Sequence, residues 1–230
     1  MTILWYNYSM NSSKKALVLF SGGRDSSAAA VEMIRAGYKV KLFTYSEFPG
    51  IVGPNGDSPS SIRYKELLNS FPTQIDPDRV IRINAYLVRK LAIEKTNKTH
   101  VVYPIALALA IHVDAILYCL QNNIHHIASG NSGYQAKEER YIEQQSNFCE
   151  LTKNFLAEYG ITYHTPIAKK SKEEIVDILD QCCVSSNSLE GKSVFGAIPF
   201  EVDKALGFWE ESIPMCREYI ASMRSLSVQF

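Results

Sequence analysis

Hydrophobic runs of strand length alternate with helical segments along most of the chain. The first run is followed by a glycine turn and an alanine-rich helical segment that stops at Gly37. The predicted strands cover 16–20, 39–45, 80–83, 125–129 and 161–164. The predicted helices cover 26–36, 62–69, 104–121, 136–159 and 171–180. Strands that alternate with helices in this way indicate a doubly wound parallel sheet with helices on both faces.

The longest apolar stretch, 101–120, has the length of a membrane span. It contains Pro104, His112 and Asp114, and polar or charged groups near its middle are costly in lipid. We therefore expect a buried helix at 104–121, with Pro104 in its first turn, and no membrane partner. A segment at 47–60 holds three prolines and three glycines, which predicts a loop.

Length and composition suit one α/β domain with a small appendage. We expect an extension at 1–13, without a secretory pattern, a main domain at 14–180 and a helical appendage at 181–230. Lys+Arg and Asp+Glu both number 24, so no overall basic field favours a nucleic-acid partner. Five irregularly spaced cysteines suggest a reducing compartment, which predicts a cytoplasmic protein.

The segment with the clearest chemistry is Ser21-Gly22-Gly23-Arg24-Asp25-Ser26, between the first strand and the first helix. Glycines let the backbone approach a ligand, and the helix N-terminus attracts anions. The hydroxyls of Ser21, Ser26 and Ser27 add donors, and Arg24 adds a cation. A carboxylate repels phosphate, so Asp25 is explained if it caps the helix or holds a Mg²⁺ ion that also binds phosphate.

These residues do not match G-x-x-x-x-G-K-[ST] or G-x-G-x-x-G. They resemble the S-G-G-x-D-S loop of the ATP pyrophosphatase (PP-loop) superfamily. The resemblance implies an adenine nucleotide alpha hydrolase-like fold with strand order 3-2-1-4-5, and the binding of ATP with Mg²⁺. It also implies nucleotide contacts beyond the loop, at the carboxyl ends of other strands. The expected contacts are Phe43, Thr44, Tyr45 and Gly130.

Three later segments, 130–134, 140–142 and 164–175, resemble the 7-cyano-7-deazaguanine synthase branch of this superfamily. That enzyme makes the nitrile precursor of queuosine from 7-carboxy-7-deazaguanine, ATP and ammonia. The resemblance implies a ligase that adenylates a small carboxylate, releases pyrophosphate and transfers the acyl group to a nitrogen nucleophile such as ammonia. It implies catalytic roles for Asp25 and Lys172. The substrate contacts that it implies are Asn131, Ser132, Gly133 and Tyr134.

The chain departs from that branch in four respects. The Tyr-Gly-Gln-based segment after the second strand is replaced by 44–48, and the acidic and basic residues after Ser-Gly-Tyr are replaced by 135–138. An Arg-Asn pair is replaced by residues that include Ile105 and Ala106, which leaves the acceptor substrate open. A zinc knuckle needs four cysteines, and this region offers only Cys182, Cys183 and Cys216, so no metal site is predicted. Adjacent His125 and His126 would point to opposite faces of a strand, which also argues against a metal site.

Two other functions stay open from the sequence. The first is tRNA modification by thiolation or amidation, in which Cys182 or Cys183 would handle sulfur. The second is a module that binds ATP without turning it over. The aromatic tail at 195–230 is interpreted as internal packing or as a contact in a homodimer.

Overall fold

A computed structural model describes residues 14–46, 58–83, 86–95, 103–135, 144–187 and 201–227. It contains a five-stranded sheet of order β3-β2-β1-β4-β5, in which every pairing is parallel. The strands are β1 Lys15–Leu19, β2 Lys39–Ser46, β3 Val80–Ile83, β4 His126–Ala128 and β5 Thr162–His164. The predicted fold class and strand order are confirmed. The expected extension at 1–13 and segment 140–142 lie outside the described residues.

Seven helices lie in the described part of the chain. They are α1 Arg24–Arg35, α2 Pro59–Ser70, α3 Tyr86–Lys95, α4 Tyr103–Asn122, α5 Ser146–Ala157, α6 Lys172–Asp180 and α7 Val202–Ser227. The boundaries at 13/14 and 180/181 stay predictions. The last helix, α7, packs through Trp209 and Cys216 into the hydrophobic core that also contains α4 and α5.

The central strand β1 is buried on both faces, as expected for a parallel sheet. Successive side chains of a strand point to opposite faces. Accordingly Leu17 packs in a core with α4, α5 and α7, whereas Val18 packs in a second core with α1 and α6. Val18 also stands beside Leu42 of β2 and Ala128 of β4, which holds both neighbouring strands in register.

Helix α1 lies against the sheet through small side chains. Ala28, Ala29 and Ala30 are fully buried, which brings the helix axis close to β1. The chain leaves the helix at Gly37, whose φ of 85° is a conformation that glycine adopts at little cost.

Helix α4 is the buried helix predicted from the apolar stretch. It is long and apolar enough to cross a membrane by length and composition, but 61% of its most apolar window is buried inside the structure. Ile105, Leu109 and Val113 are almost fully buried, and α7 covers part of the same helix. This burial is typical of a core helix. A core helix can be as long and as apolar as a membrane-spanning helix, so length and composition alone do not distinguish the two.

The structure differs from the predicted elements in three places. Helix α2 begins at Pro59, so the end of the predicted loop at 47–60 is helical. Helix α5 begins at Ser146, and the preceding Gln144 and Gln145 are not α-helical, so the predicted start at 136 is too early where it can be compared. Helix α3 was not predicted, although its buried face recurs at helical spacing. The N-terminus of α6 is as predicted: Ser171 and Glu174 form a reciprocal capping box.

Candidate functional site

The loop between β1 and α1 is built for a close approach of its backbone to a ligand. Gly22 has a φ of 84°, which favours glycine, and Gly23 is the N-cap residue of α1. The Ser21 hydroxyl accepts a hydrogen bond from the Gly23 N–H at 3.1 Å. The hydroxyls of Ser26 and Ser27 donate to the Gly23 carbonyl at 3.1 and 2.7 Å. These serines therefore stabilise the loop from within.

Helix α1 starts without a side-chain cap. The first backbone N–H groups of a helix have no carbonyl partner inside it, and the helix dipole is positive at this end. An uncapped N-terminus beyond a glycine turn can accept an anionic group such as phosphate.

Gly130, directly after β4, lies against the start of α1. A Cβ atom at Gly130 would lie 2.6 Å from the Ser26 backbone nitrogen and 2.8 Å from the Asp25 carbonyl carbon. Gly133 is equally constrained, since a Cβ there would lie 2.3 Å from the Ala168 carbonyl oxygen. Glycine at position 130 therefore lets the loop after β4 pack against the start of α1, and glycine at position 133 lets the same loop pack against the segment after β5.

Asp25, in the first turn of α1, is the acidic centre of this part of the site. The Tyr134 hydroxyl donates to its carboxylate, 2.7 and 2.9 Å from the two oxygens, and the Ser132 hydroxyl lies 3.5 Å away. The same Tyr134 hydroxyl accepts a hydrogen bond of 2.9 Å from Arg24. Asp25 does not cap the helix, because the N-cap residue is Gly23.

These contacts also affect the acidity of the neighbouring groups. Burial, together with its hydrogen bond to Asp25, raises the pKa of Tyr134 to about 12. Burial alone would lower the pKa of Arg24, but its contacts with Tyr134 and Asp25 outweigh burial and raise it. At neutral pH the site therefore presents a protonated phenol and a charged guanidinium beside the carboxylate.

A cleft of about 280 Å³ opens at this point. It lies where β2 and β3 extend to one side of β1, and β4 and β5 to the other, the usual position for ligands in such sheets. The cleft is lined from β1, β2, α4 and the β4 end of the sheet. The lining residues include Leu19, Phe20, Ser21, Asp25, Ser26, Phe43, Tyr45, Ala108, Ile111, His112, Ser129, Gly130, Asn131, Gln135, Gln144 and Tyr163.

Seven of the predicted site residues line the cleft: Ser21, Asp25, Ser26, Phe43, Tyr45, Gly130 and Asn131. Arg24, Ser132 and Tyr134 are not in the lining, although each contacts Asp25, and Gly22, Gly23, Ser27 and Gly133 do not line the cleft either. Thr44 does not line the cleft, because alternate side chains of β2 face opposite sides of the sheet. Lys172 is exposed at the start of α6 and is also absent from the lining. Its catalytic role stays a prediction.

Cys182, His125 and His126, which the sequence analysis considered for sulfur transfer or metal binding, do not line the cleft. The Cys182 sulfur lies 3.7 Å from the Arg35 guanidinium, away from the cleft lining. His126 pairs with His164 of the next strand, their nitrogens 3.1 Å apart, and not with His125. Across the described ranges, no group of three or more His, Cys, Asp or Glu residues is placed to hold a metal ion.

His112 is a site residue that the motifs did not identify. Its side chain is buried on the cleft side of α4, and its Nδ1 lies 2.6 Å from the Ala108 carbonyl oxygen. Its Nε2 atom is buried without a hydrogen-bond partner among the residues that the structure describes. Burial lowers the pKa of His112 to about 4, although the contact with Ala108 opposes this shift.

Tyr163 of β5 forms the wall opposite His112. Its ring meets the His112 ring edge-on, with centroids 5.7 Å apart. The Tyr163 hydroxyl donates to Ser129 at 2.7 Å and accepts from the Asn131 amide at 3.4 Å, and burial raises its pKa. The Asn131 amide also lies 3.3 Å from the sulfur of Cys149. Asn131 belongs to the segment at 130–134 from which substrate contacts were expected, whereas no local motif marks His112, Tyr163 or Cys149.

We compared the chain with known proteins. Neither a scan against protein-family models nor a search of curated proteins finds a match. Among solved structures, a 4-thiouridine synthetase in complex with RNA and bound ATP has a TM-score of 0.59 and 14% identity. The match covers 90% of this chain but 53% of that one, so this chain spans about half the length of the synthetase. The two therefore share the α/β fold.

Two further solved structures resemble the chain less closely. A predicted subunit of a tRNA methyltransferase from Methanocaldococcus jannaschii has a TM-score of 0.47 and 17% identity, covering 73% of this chain and 76% of that one. The U34-tRNA thiolase NcsA from Methanococcus maripaludis, with its [4Fe-4S] cluster, has a TM-score of 0.43 and 16% identity. That match covers 89% of this chain and 64% of the thiolase.

Proposed function

We propose that the protein is an ATP-dependent enzyme of the PP-loop class that adenylates its substrate and releases pyrophosphate. The observation that carries the proposal is the uncapped N-terminus of α1, which opens through a glycine loop into the cleft beside β1. Gly130 lets the loop after β4 pack directly against the start of α1 at the edge of that cleft, where a side chain would collide with the helix backbone. The bound ATP of the 4-thiouridine synthetase, which has this fold, agrees with the proposal.

The residues present suit ATP and Mg²⁺. The backbone of 21–26 would surround the phosphates, with Arg24 as a neighbouring cation. The Asp25 carboxylate is the kind of oxygen ligand that Mg²⁺ prefers, and the ion would neutralise phosphate charge. Phe43 and Tyr45, on the β2 side of the cleft, would contact the adenine base. Tyr134 holds Asp25 in place from the other side.

In the proposed reaction, a substrate oxygen attacks the α-phosphorus of ATP. A bond forms between that oxygen and the α-phosphorus, the bond to the β-phosphate oxygen breaks, and pyrophosphate leaves. The protein contributes by positioning the two reactants and by stabilising negative charge with backbone N–H groups and Arg24.

We propose a small carboxylate as the acceptor, as in the 7-cyano-7-deazaguanine synthases that the sequence resembles. A nitrogen nucleophile such as ammonia would then attack the acyl carbon. The new C–N bond replaces the C–O bond to AMP, and the nitrogen loses a proton. The cleft is of a size for a small molecule.

The alternative acceptor is an RNA base. One observation favours it: Cys149, on α5, has its sulfur 3.3 Å from the amide of the cleft residue Asn131. A thiol at this position could carry sulfur for transfer to a base bound in the cleft. Cys182 could not do so, because it lies beside Arg35 and away from the cleft lining. The 4-thiouridine synthetase with this fold was solved with RNA, whereas the zero net charge of this chain gives no general affinity for nucleic acid.

Product analysis by ³¹P NMR tests the proposal. The protein is incubated with Mg²⁺ and ATP, first with a panel of small carboxylates that includes 7-carboxy-7-deazaguanine, and then with bulk tRNA. AMP and pyrophosphate are the expected products. Whichever of the two added compounds, small carboxylate or tRNA, stimulates their release is identified as the acceptor. ADP and phosphate would contradict the proposal, and ATP binding without turnover would indicate a non-catalytic module.

Three variants sharpen the test. Asp25→Asn is expected to abolish pyrophosphate release, and Cys149→Ser to leave it unchanged unless RNA is the acceptor and sulfur is transferred. Lys172→Gln decides whether the exposed lysine contributes to turnover.

A further inference from the structure

Helix α3 presents a tyrosine and two cations on one face. Tyr86 is its first residue, and Arg89 and Lys90 follow at positions i+3 and i+4, which lie on the same side of a helix. All three residues are exposed, whereas Leu87 and Leu91 are buried in the main core. We call the three exposed residues the α3 face.

The two cations of the α3 face are not neutralised by neighbouring carboxylates. Neither Arg89 nor Lys90 forms an ion pair with any residue that the structure describes. Arg217, another exposed cation, is by contrast paired with Glu158 at 2.6 Å. The α3 face therefore carries a local positive charge, although the net charge of the whole chain is zero.

The ring of Tyr86 is both exposed and supported. The residue is 61% exposed, and its ring stacks on Tyr219 of α7, with centroids 6.4 Å apart and an interplanar angle of 26°. A ring that is already held in place loses little conformational entropy when a flat group stacks on it. Tyr86 is therefore suited to stack on a planar ligand.

The α3 face follows the same edge of the sheet as the cleft. The chain leaves β3 at Ile83, which pairs with Ser46 at the end of β2, and α3 begins three residues later. The loop at 21–26 also follows the carboxyl end of its strand, and the ends of parallel strands share one edge of the sheet. Phe43 and Tyr45 of β2, the strand next to β3, line the cleft.

A further exposed cation follows the opposite end of this edge. Lys169 comes after β5 and forms no ion pair within the described part of the chain. Its neighbour Ala168 approaches the loop after β4 at Gly133. Four strand spacings separate β3 from β5, about 19 Å at about 4.8 Å each, and the cleft lies between them. A small anion cannot reach both ends, but a chain of phosphates can.

We propose that the α3 face and Lys169 bind a single strand of RNA that crosses the mouth of the cleft. Tyr86 stacks on a base, and the three cations contact phosphates, as in other surfaces that bind single strands. The inference rests on the proposed function with its alternative acceptor, an RNA base, which such a strand would deliver to the cleft. An acidic protein segment would pair with the cations but would leave Tyr86 without a role.

The test measures the binding of a fluorescein-labelled single-stranded RNA of about 12 nucleotides to the full chain by fluorescence anisotropy. The titrations are made without ATP, at salt concentrations from about 50 to about 200 mM. We expect binding at the lowest salt concentration and a linear decrease of log K with the logarithm of the salt concentration.

Variants of the α3 face separate the two kinds of contact. The double variant Arg89→Gln with Lys90→Gln removes two phosphate contacts and should reduce the salt slope by about 1.4, at about 0.7 for each contact. Tyr86→Ala removes the stacking ring and should weaken binding at least about fivefold with the slope unchanged. Tyr86→Phe keeps the ring and should bind like wild type. If Tyr86→Ala does not fold, Tyr86→Leu, which keeps an apolar side chain but no ring, replaces it.

Lys15→Gln with Lys39→Gln is the matched control for the double variant. These two lysines begin β1 and β2, at the opposite edge of the sheet, and neither forms an ion pair with the residues that the structure describes. The control loses the same two charges and should keep the wild-type affinity and salt slope. Its behaviour therefore distinguishes a defined surface from general attraction to a polyanion.

The outcomes separate this inference from the proposed function. Absence of RNA binding at the lowest salt concentration, wild-type binding by the α3 variants, or an equal loss in the control would overturn the inference. Competition by poly-L-glutamate as strong as that by unlabelled RNA would also overturn it and would indicate an acidic protein partner. Because binding is measured without ATP, a failure to release pyrophosphate would count against the proposed function alone.

Discussion

Gly130 gives a sharp test of how the two loops of the site depend on each other. In Gly130→Ala, the new Cβ would lie 2.6 Å from the Ser26 nitrogen, where ordinary contact begins at 3.4 Å. The backbone atoms must therefore separate by about 0.8 Å, the difference between these distances. Both partners are main-chain atoms in packed elements, so neither can move aside as a flexible side chain would.

Overpacking of this kind typically costs about 1–3 kcal/mol. For a chain of this size that corresponds to a fall in Tm of about 2–12 °C, at roughly 2–4 °C per kcal/mol. Because the displaced segment is the N-terminus of α1, we expect the affinity for Mg²⁺·ATP to fall by at least tenfold, about 1.4 kcal/mol. Urea unfolding gives the first quantity and isothermal titration calorimetry the second.

Gly207→Ala is the matched control. Gly207 lies within α7, and a Cβ there would meet nothing within 4 Å. The same substitution is therefore expected to stabilise the protein by about 0.5–1 kcal/mol, through the higher helix propensity of alanine, with ATP affinity unchanged. If Gly130→Ala has the stability and ATP affinity of wild type, the close approach of the two loops is not as described.

Three further changes probe the surroundings of the site. Tyr134→Phe removes the hydroxyl that donates to Asp25 and should lower the free energy of unfolding by about 1.5 kcal/mol in urea titrations, a typical value for a hydrogen bond to a charged group. The pKa of His112 falls from 6.5 in the unfolded chain to about 4 in the folded protein, so below pH 6.5 the unfolded state binds the extra proton. Stability should thus decline by about 3 kcal/mol from pH 6.5 to pH 4 in urea titrations, and His112→Gln should flatten that part of the profile. Ser171→Ala opens the capping box with Glu174 and should cost about 1 kcal/mol by thermal unfolding, while an unchanged Tm would argue against the cap.

The loop at 21–26 could be predicted from sequence because its information is local. A buried strand, two glycines and a helix start lie next to each other in the chain, and each imposes its own backbone geometry. The strand order followed from the resemblance to the PP-loop superfamily. The role of Gly130 depends on residues distant in sequence. The residue was expected to contact nucleotide, but the structural reason for glycine at this position is the close approach of the α1 backbone.

The contacts of His112 and Asn131 with Tyr163 could not be predicted in the same way, although Asn131 itself was expected to contact the substrate. His112 lies in an apolar helix, Tyr163 in a short strand, and Asn131 in a loop between them. They meet because β4 and β5 pair and α4 packs across the sheet, and no spacing in the sequence encodes that contact. Thr44 shows a different difficulty. The sequence identified the strand correctly, but one step along a strand moves a side chain to the other face of the sheet, so Thr44 does not line the cleft.

Calorimetric titration of Mg²⁺·ATP into wild type and into Gly23→Val and Asp25→Ala tests the central claim most directly. We predict one site per wild-type chain and an affinity at least tenfold weaker, about 1.4 kcal/mol, in each variant. The expected causes are the valine side chain in the path of the phosphates and the loss of the carboxylate that would hold Mg²⁺. Both variants should still unfold cooperatively in urea, which shows that the loss is local. Wild-type affinity in both folded variants would contradict the assignment of the loop as the ATP site.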